Sequence, residues 1–143
     1  VVKAVGGGNI LIVAESRAAA LEAAERAAAA MRKLRDVILP FPGGIVRSGS
    51  KVGSKYKALV ASTNDAYCPT LKGQTATALP PEAASVLEIV IDGLTAPDIS
   101  AAMKAGIQAV VDLGATSGIR RISAGNYGGK LGKFHFHLRK LLT

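Results

Sequence analysis

The sequence predicts an α+β fold, a ferredoxin-like sandwich in which a mostly antiparallel sheet carries two helices on one face. In each half of the chain, a short apolar segment with strand character precedes a segment with the apolar stripe of a helix. Because two such stripes need a common surface to bury them, both helices are expected on one face of the sheet. The predicted order is strand, helix, strand, strand, helix, strand, strand, one strand more than the basic unit has.

The first half begins with a predicted strand at residues 9–15 (NILIVAE). Ser16 is a good N-cap for a helix over residues 17–35, which are rich in Ala, Glu, Arg and Leu, the strongest helix formers. A second strand is predicted at residues 43–47 (GGIVR), after prolines that end the helical region.

The second half begins with a predicted strand at residues 85–91 (SVLEIVI). Thr95 and Asp98 approximate a capping box, with Asp in place of Glu, for a second helix that Gly114 ends. Closing strands are predicted at residues 119–124 and 134–138.

The composition narrows the classes of partner. The 143 residues, 49% of them hydrophobic, suffice for one globular domain and are too apolar for disorder. The net charge of +8 favours anionic ligands, but with only 4% aromatic residues the chain lacks the stacking platforms of a nucleic-acid binder. No segment approaches the roughly 18 apolar residues that span a membrane, so no membrane partner is expected.

Two further expectations concern the setting of the chain. Cys68 is the sole cysteine, which excludes an intrachain disulfide and fits a reducing, cytoplasmic location. The sequence starts Val1-Val2-Lys3 without Met, which indicates a processed piece or one domain of a longer protein.

Short motifs for nucleotides, metals and nucleophiles are weak. Residues 6–8 (GGG) precede a strand and lack the third glycine of a dinucleotide fingerprint, and residues 44–51 end in Ser-Lys with no helix after them, unlike a phosphate loop. His135 and His137 would share one strand face, but a metal site needs more ligands. Cys68 has no nearby His, so a packed thiol is favoured over a nucleophile.

Glu88 is the most informative single residue, because it interrupts an otherwise apolar strand. Strand alternation places it on the face of Val86 and Val90. An unpaired buried carboxylate is unfavourable, so Glu88 is either ion-paired, exposed on an edge, or partly protonated. The last state suits a general acid–base group near neutral pH.

Residues 48–81 form a polar, glycine-rich stretch between the two halves. Cations, hydroxyls and amides collect within it, a set that can hold anionic or heteroaromatic ligands and equally fits a solvated loop. Its candidate binding residues are Lys51, Ser54, Lys55, Ser62, Thr63, Asn64 and Asp65.

Several contiguous blocks, in order along almost the whole chain, resemble the archaeal and methylotroph formylmethanofuran–tetrahydromethanopterin formyltransferases. The blocks are AES at 14–16, FPGGIV at 41–46, SKVGSK at 50–55, ASTNDAYCP at 61–69, EIVIDGL at 88–94 and ISAGNYGGKLG at 122–132. The resemblance implies two similar α+β lobes, of which residues 1–143 correspond to the second, C-terminal one.

The resemblance also implies a function. The reaction would move a formyl group from the amine of formylmethanofuran to a ring nitrogen of tetrahydromethanopterin, with these coenzymes as substrates and without metal or nucleotide. The family implies a homotetramer, or a subunit of a formyltransferase/hydrolase complex in methylotrophs. An isolated lobe is expected to transfer little or no formyl group.

Roles for individual residues follow from the same resemblance. Glu88 matches the acid–base candidate, and Thr63 and Asn64 are candidates for substrate or oxyanion contacts. Lys51 and Lys55 would meet anionic groups on the coenzyme tails. Ser54, Ser62, Asp65 and Asn126 complete the predicted substrate-binding set.

Two other function classes remain open at this point. A non-catalytic assembly lobe would hold an oligomer together without binding pterin. An RNA-binding α+β domain fits the charge but lacks exposed aromatic residues on its central strands, and it ranks below the others.

Overall fold

The computed structural model describes residues 3–125 and 133–143. The helices and strands are β1 Val5–Ala14, α1 Arg17–Met31, β2 Val37–Ile38, β3 Val46–Arg47, β4 Ser50–Val52, β5 Ala61–Thr63, β6 Ser85–Gly93, α2 Ala96–Val111, β7 Ile119–Ser123 and α3 Leu138–Leu141. Among these described residues, none of the helices has both the length and the apolar character needed to cross a membrane.

The main sheet has the strand order β2-β6-β1-β7, and β3 also pairs with β6. All of these pairings are antiparallel. Since β1 and β2 flank β6 on either side and α1 connects them, the first half is a split β-α-β unit, and α2 connects β6 to β7 in the same way. The predicted ferredoxin-like α+β fold is therefore confirmed.

The side chains of β1 and β6 alternate between two apolar layers. On the helical face, the main core joins Ile10, Ile12, Ile89 and Ile91 to α1 and α2. On the opposite face, a smaller core lies beneath the polar insertion between β3 and β6; its buried members are Leu11, Val13, Leu79, Ala83 and Val86. Glu88 points to this second face, as strand alternation predicted.

Both helices start at the predicted caps. The Ser16 side chain accepts from Ala19 N at 3.1 Å. Thr95 and Asp98 form the complete capping box, with the Asp98 carboxylate accepting from Thr95 N at 2.9 Å. The first helix ends at Met31 and not at residue 35, because the backbone turns after Met31 and Asp36 adopts a left-handed conformation (φ 64°).

The first strand begins earlier than the predicted residue 9. A bulge lies between Val5 and Gly8, with Gly7 at φ 110°, and Gly8 lies beneath Ile99 of α2. The glycines at 6–8 therefore lie within the strand and do not precede it, and they allow the strand to bend and the helix to approach closely.

Two predicted strands need correction. The segment 43–47 contains only the short β3, because Gly43 and Gly44 have positive φ in a 3-10 turn, and β2 takes the place of the second strand. The predicted strand at 134–138 is wrong. Residues 134–137 have no regular structure, and α3 follows, since Leu138 and Leu141, three apart, pack on the main core as one helical turn.

Candidate functional site

Glu88 lies in the middle of β6, half-buried on the face opposite the helices. Its register partners are Leu11 on β1 and Val46 on β3, so a strand flanks it on each side. Glu88 is therefore not on an edge of the sheet, and edge exposure cannot explain why a carboxyl occurs in this apolar strand. Among the described residues, the ion pairs found involve other carboxylates, so Glu88 is not explained by a salt bridge either.

Neutral donors surround the Glu88 carboxyl. Asn9 Nδ2 donates to Glu88 Oε1 at 2.7 Å, and the backbone N–H of Gly49 is a second donor. Burial raises the pKa of Glu88 above its ordinary value, whereas the hydrogen bonds from Asn9 and Gly49 act in the opposite direction and lower that pKa in part. A raised pKa brings the titration of a carboxyl closer to neutral pH, which is the direction that general acid–base catalysis favours.

The predicted binding residues of the insertion mostly come together. The hairpin of β4 and β5 forms one wall of an open depression with a volume of about 560 Å³. The predicted residues that line it are Lys51, Ser54, Lys55, Ser62, Thr63 and Asp65, and Gly53 and Tyr56 complete the lining.

The two lysines of this depression differ in their partners. Lys51 Nζ pairs with Asp65 Oδ1 at 2.5 Å, and this hydrogen bond is the main reason why the pKa of Asp65 lies below its ordinary value. Lys55 Nζ instead lies 5.1 Å from the centroid of the Tyr56 ring. Lys51 is therefore held by a carboxylate of the chain itself, while Lys55 is better placed to meet an anionic ligand.

Asn64 is the one predicted binding residue of the insertion that does not line the depression. It is 1% exposed. Its side-chain Nδ2 donates to Ser48 Oγ at 3.0 Å, and its backbone N–H donates to Gly49 O at 2.9 Å. In this conformation Asn64 holds the loop that brings Gly49 to Glu88, and a direct contact with substrate stays a prediction.

A second cavity, of about 410 Å³, was not foreseen from the sequence. It lies between the start of β6, the end of β3 and the first turn of α1. Arg17 and Arg47 contribute cations to its wall. Cys68 lines the same cavity, and its Sγ lies 3.2 Å from Thr70 Oγ1. The arginines are distant from each other in sequence, so local motifs could not reveal that they share a wall.

Sequence reasoning also missed Asn9, the partner of Glu88. The signal was present, because Asn9 is a polar residue at the start of an apolar strand, but the pairing depends on the register of β1 and β6. Asn126 lies outside the described residues, so its predicted role stays untested. His135 and His137 are not on a strand, and within the described part of the chain no group of three or more His, Cys, Asp or Glu could hold a metal ion.

A family model described as "FTR, proximal lobe" matches residues 1–141. The chain belongs to this FTR family. The resemblance stated from the sequence blocks is thereby confirmed, because the match runs through all of them.

The chain is similar to proteins named as formylmethanofuran–tetrahydromethanopterin formyltransferases. It is 69% identical over 142 residues to the formylmethanofuran–tetrahydromethanopterin formyltransferase of Methylococcus capsulatus, covering 99% of this chain and 48% of the relative. The chain thus spans about half the length of the relatives it matches.

Two solved structures share its fold. The formyltransferase/hydrolase complex of Methylorubrum extorquens, in complex with methylofuran, matches with a TM-score of 0.92 and 55% identity, over 98% of this chain and 46% of that one. The formylmethanofuran:tetrahydromethanopterin formyltransferase of Methanosarcina barkeri matches with a TM-score of 0.89 and 49% identity, over 96% of this chain and 46% of that one.

Proposed function

We propose that this chain is the C-terminal lobe of a two-lobe formyltransferase that moves a formyl group between methanofuran and tetrahydromethanopterin. The observation that carries the proposal is the half-buried Glu88, held by neutral donors on the face of an FTR-family sheet opposite the helices. The names of the relatives supply the substrates, and the fact that the chain spans about half of them supports a second lobe.

The proposed chemistry needs a group that both takes and gives a proton. The nitrogen of the acceptor attacks the formyl carbon, and the new C–N bond creates a tetrahedral intermediate. This intermediate breaks its bond to the donor nitrogen, so one nitrogen loses a proton and the other gains one. Glu88 would accept the first proton and return it to the leaving nitrogen. The open depression beside Lys55, Ser62 and Thr63 would hold polar parts of the coenzymes.

Assembly and location are part of the proposal. A place in a formyltransferase/hydrolase complex is supported by the complex in which a 55% identical relative was solved, and a homo-oligomer is the alternative assembly. A cytoplasmic location is supported by the single cysteine, Cys68, which is compatible with a reducing compartment.

The experiment is a Glu88→Gln substitution in the full-length enzyme, assayed with both coenzymes. Loss of a proton-transfer group should lower kcat by about 100-fold or more while the far-UV circular dichroism stays unchanged. Asp92→Asn is a matched control, since Asp92 lies on the same strand and the same face and should keep wild-type turnover. Turnover of Glu88→Gln within about threefold of wild type would refute the acid–base assignment.

A second candidate function, an assembly lobe, is favoured by the apolar tip of the hairpin. Tyr56, Leu59 and Val60 project there, and Val60 is 86% exposed. Exposed apolar clusters of this kind often mark protein interfaces. If assembly is the only role, Val60→Asp in the full-length protein should dissociate the oligomer in light scattering, and fluorescence titration with the pterin should give no binding to this lobe.

A further inference from the structure

Asn9 is held in one orientation by the backbone on its far side. The N–H of Gly125 donates to Asn9 Oδ1 at 2.8 Å. A backbone N–H can only donate, so the oxygen of the Asn9 amide must face Gly125. The nitrogen therefore faces Glu88, and Asn9 is a donor to the carboxyl, not an acceptor from it.

From this geometry we infer that Asn9 is a positioning residue that holds the Glu88 carboxyl in place and favours its charged form, an inference that rests on the proposed formyl transfer. Burial alone would favour the neutral acid, which can give a proton but not take one. The donors Asn9 and Gly49 oppose this effect in part, because a hydrogen bond donated to the carboxylate stabilises the charged form. Asn9 acts through Glu88 and needs no contact with substrate.

The described groups that face Glu88 are neutral. They come from β1 (Asn9, Leu11), β3 (Val46) and the loop after β3 (Gly49). Charged side chains on the same face of the sheet include Asp92, two strand positions beyond Val90, and Arg121, which lies opposite Val13. Arg121 donates to Ala78 O, and neither residue is among the causes that move the pKa of Glu88.

The test measures Glu88 ionisation in Asn9→Ala and Asn9→Asp variants of the full-length enzyme. Asn9→Ala removes the donor. Asn9→Asp keeps the acceptor for Gly125 and turns the donor into a second carboxyl, which shares a proton with Glu88. The same two readouts are taken for each variant. One is the pH profile of kcat. The other is the difference in thermal stability, measured at each pH, between the variant and the same variant with Glu88→Gln added. This difference reports the ionisation of Glu88 and does not depend on activity.

We expect the Glu88 midpoint to rise by about one to two pH units in Asn9→Ala in both readouts, the effect of losing a hydrogen bond to a charged group. The rise should be larger in Asn9→Asp. Ser123→Ala is the control, because Ser123 lies opposite Leu11 on the other side of β1 and should leave both midpoints unchanged. Unchanged midpoints in both Asn9 variants would overturn the inference.

The readouts also separate this inference from the proposed function. If the stability midpoint moves but the kcat profile does not, Asn9 controls Glu88 as inferred and Glu88 is not the acid–base group. If neither moves while Glu88→Gln abolishes turnover, the acid–base role stands and the inference about Asn9 is wrong.

Discussion

Asn64 Nδ2 donates to Ser48 Oγ at 3.0 Å, which joins the polar insertion to the edge of the main sheet. The adjacent residue, Gly49, accepts from the Asn64 backbone and donates its own N–H to Glu88. One buried amide thus connects the hairpin that bears the predicted binding residues to the carboxyl on β6. The position of Glu88 and the position of the depression are therefore structurally linked.

The first prediction concerns this link. Asn64→Ala in the full-length protein should lower the free energy of unfolding by about 1–3 kcal/mol, because Asn64 is buried and its removal leaves Ser48 without this donor. Thr63→Ala is the control for stability, since Thr63 is the exposed neighbour, and it should change the free energy by less than about 0.5 kcal/mol. Equal losses in urea denaturation would show that the link is not specific to Asn64.

The parts of the fold that could be predicted are those with local signals. The strand at 85–91 and the two helices show apolar patterns and caps within a few residues, and the caps Ser16 and Thr95 are where they were expected. The short strands β2 and β3 could not be predicted, because a strand of two residues is too short to show the alternation of apolar and polar side chains. Their existence depends on pairing with β6. The strand predicted at 134–138 is wrong because the apolar residues there fit a strand or a single helical turn equally well.

In the candidate site, too, the features with a local signal in the sequence could be predicted, and those that depend on long-range contacts could not. Glu88 could be singled out because a charged residue in an apolar strand is unusual in any context. Its donor Asn9 is 79 residues away, and only the antiparallel register of β1 and β6 brings the two together. The depression could be anticipated as a set of polar residues, but the pairing of Lys51 with Asp65 depends on how the chain turns after β5.

Glu88 should also determine how stability responds to pH. Its folded-state pKa is raised above the ordinary 4.5, so the folded protein holds this proton more tightly than the unfolded chain does. The contribution to stability is present below about pH 4.5 and is lost as the pH rises through the higher, folded-state pKa. Glu88→Gln never ionises, so its melting temperature relative to wild type should increase across this window. A constant difference between acid and neutral pH would contradict the raised pKa.

The two lysines of the depression should contribute unequally to substrate binding. Lys51 is paired with Asp65, whereas Lys55 lies over Tyr56, so Lys55→Gln should raise KM for an anionic coenzyme by about threefold to tenfold and Lys51→Gln by less. Lys57→Gln is the matched control, because Lys57 is exposed but does not line the depression. A rise in KM for Lys51→Gln as large as that for Lys55→Gln would mean that Lys51 leaves Asp65 when substrate binds.

Substitution by alanine should lower the free energy of unfolding more at Gly8 than at Gly106. In Gly8→Ala the new Cβ would lie 2.2 Å from Ile99 Cγ2, a branch that cannot move aside, and a loss of about 1–3 kcal/mol in unfolding free energy is expected. In Gly106→Ala the Cβ would lie 2.1 Å from Met31 Cε, the end of a flexible side chain, and the gain in helix propensity should offset most of the cost. Ile99→Leu removes the obstructing branch, so it should restore part of the stability of Gly8→Ala. Equal losses at the two glycines would instead show that Met31 is as tightly confined as Ile99.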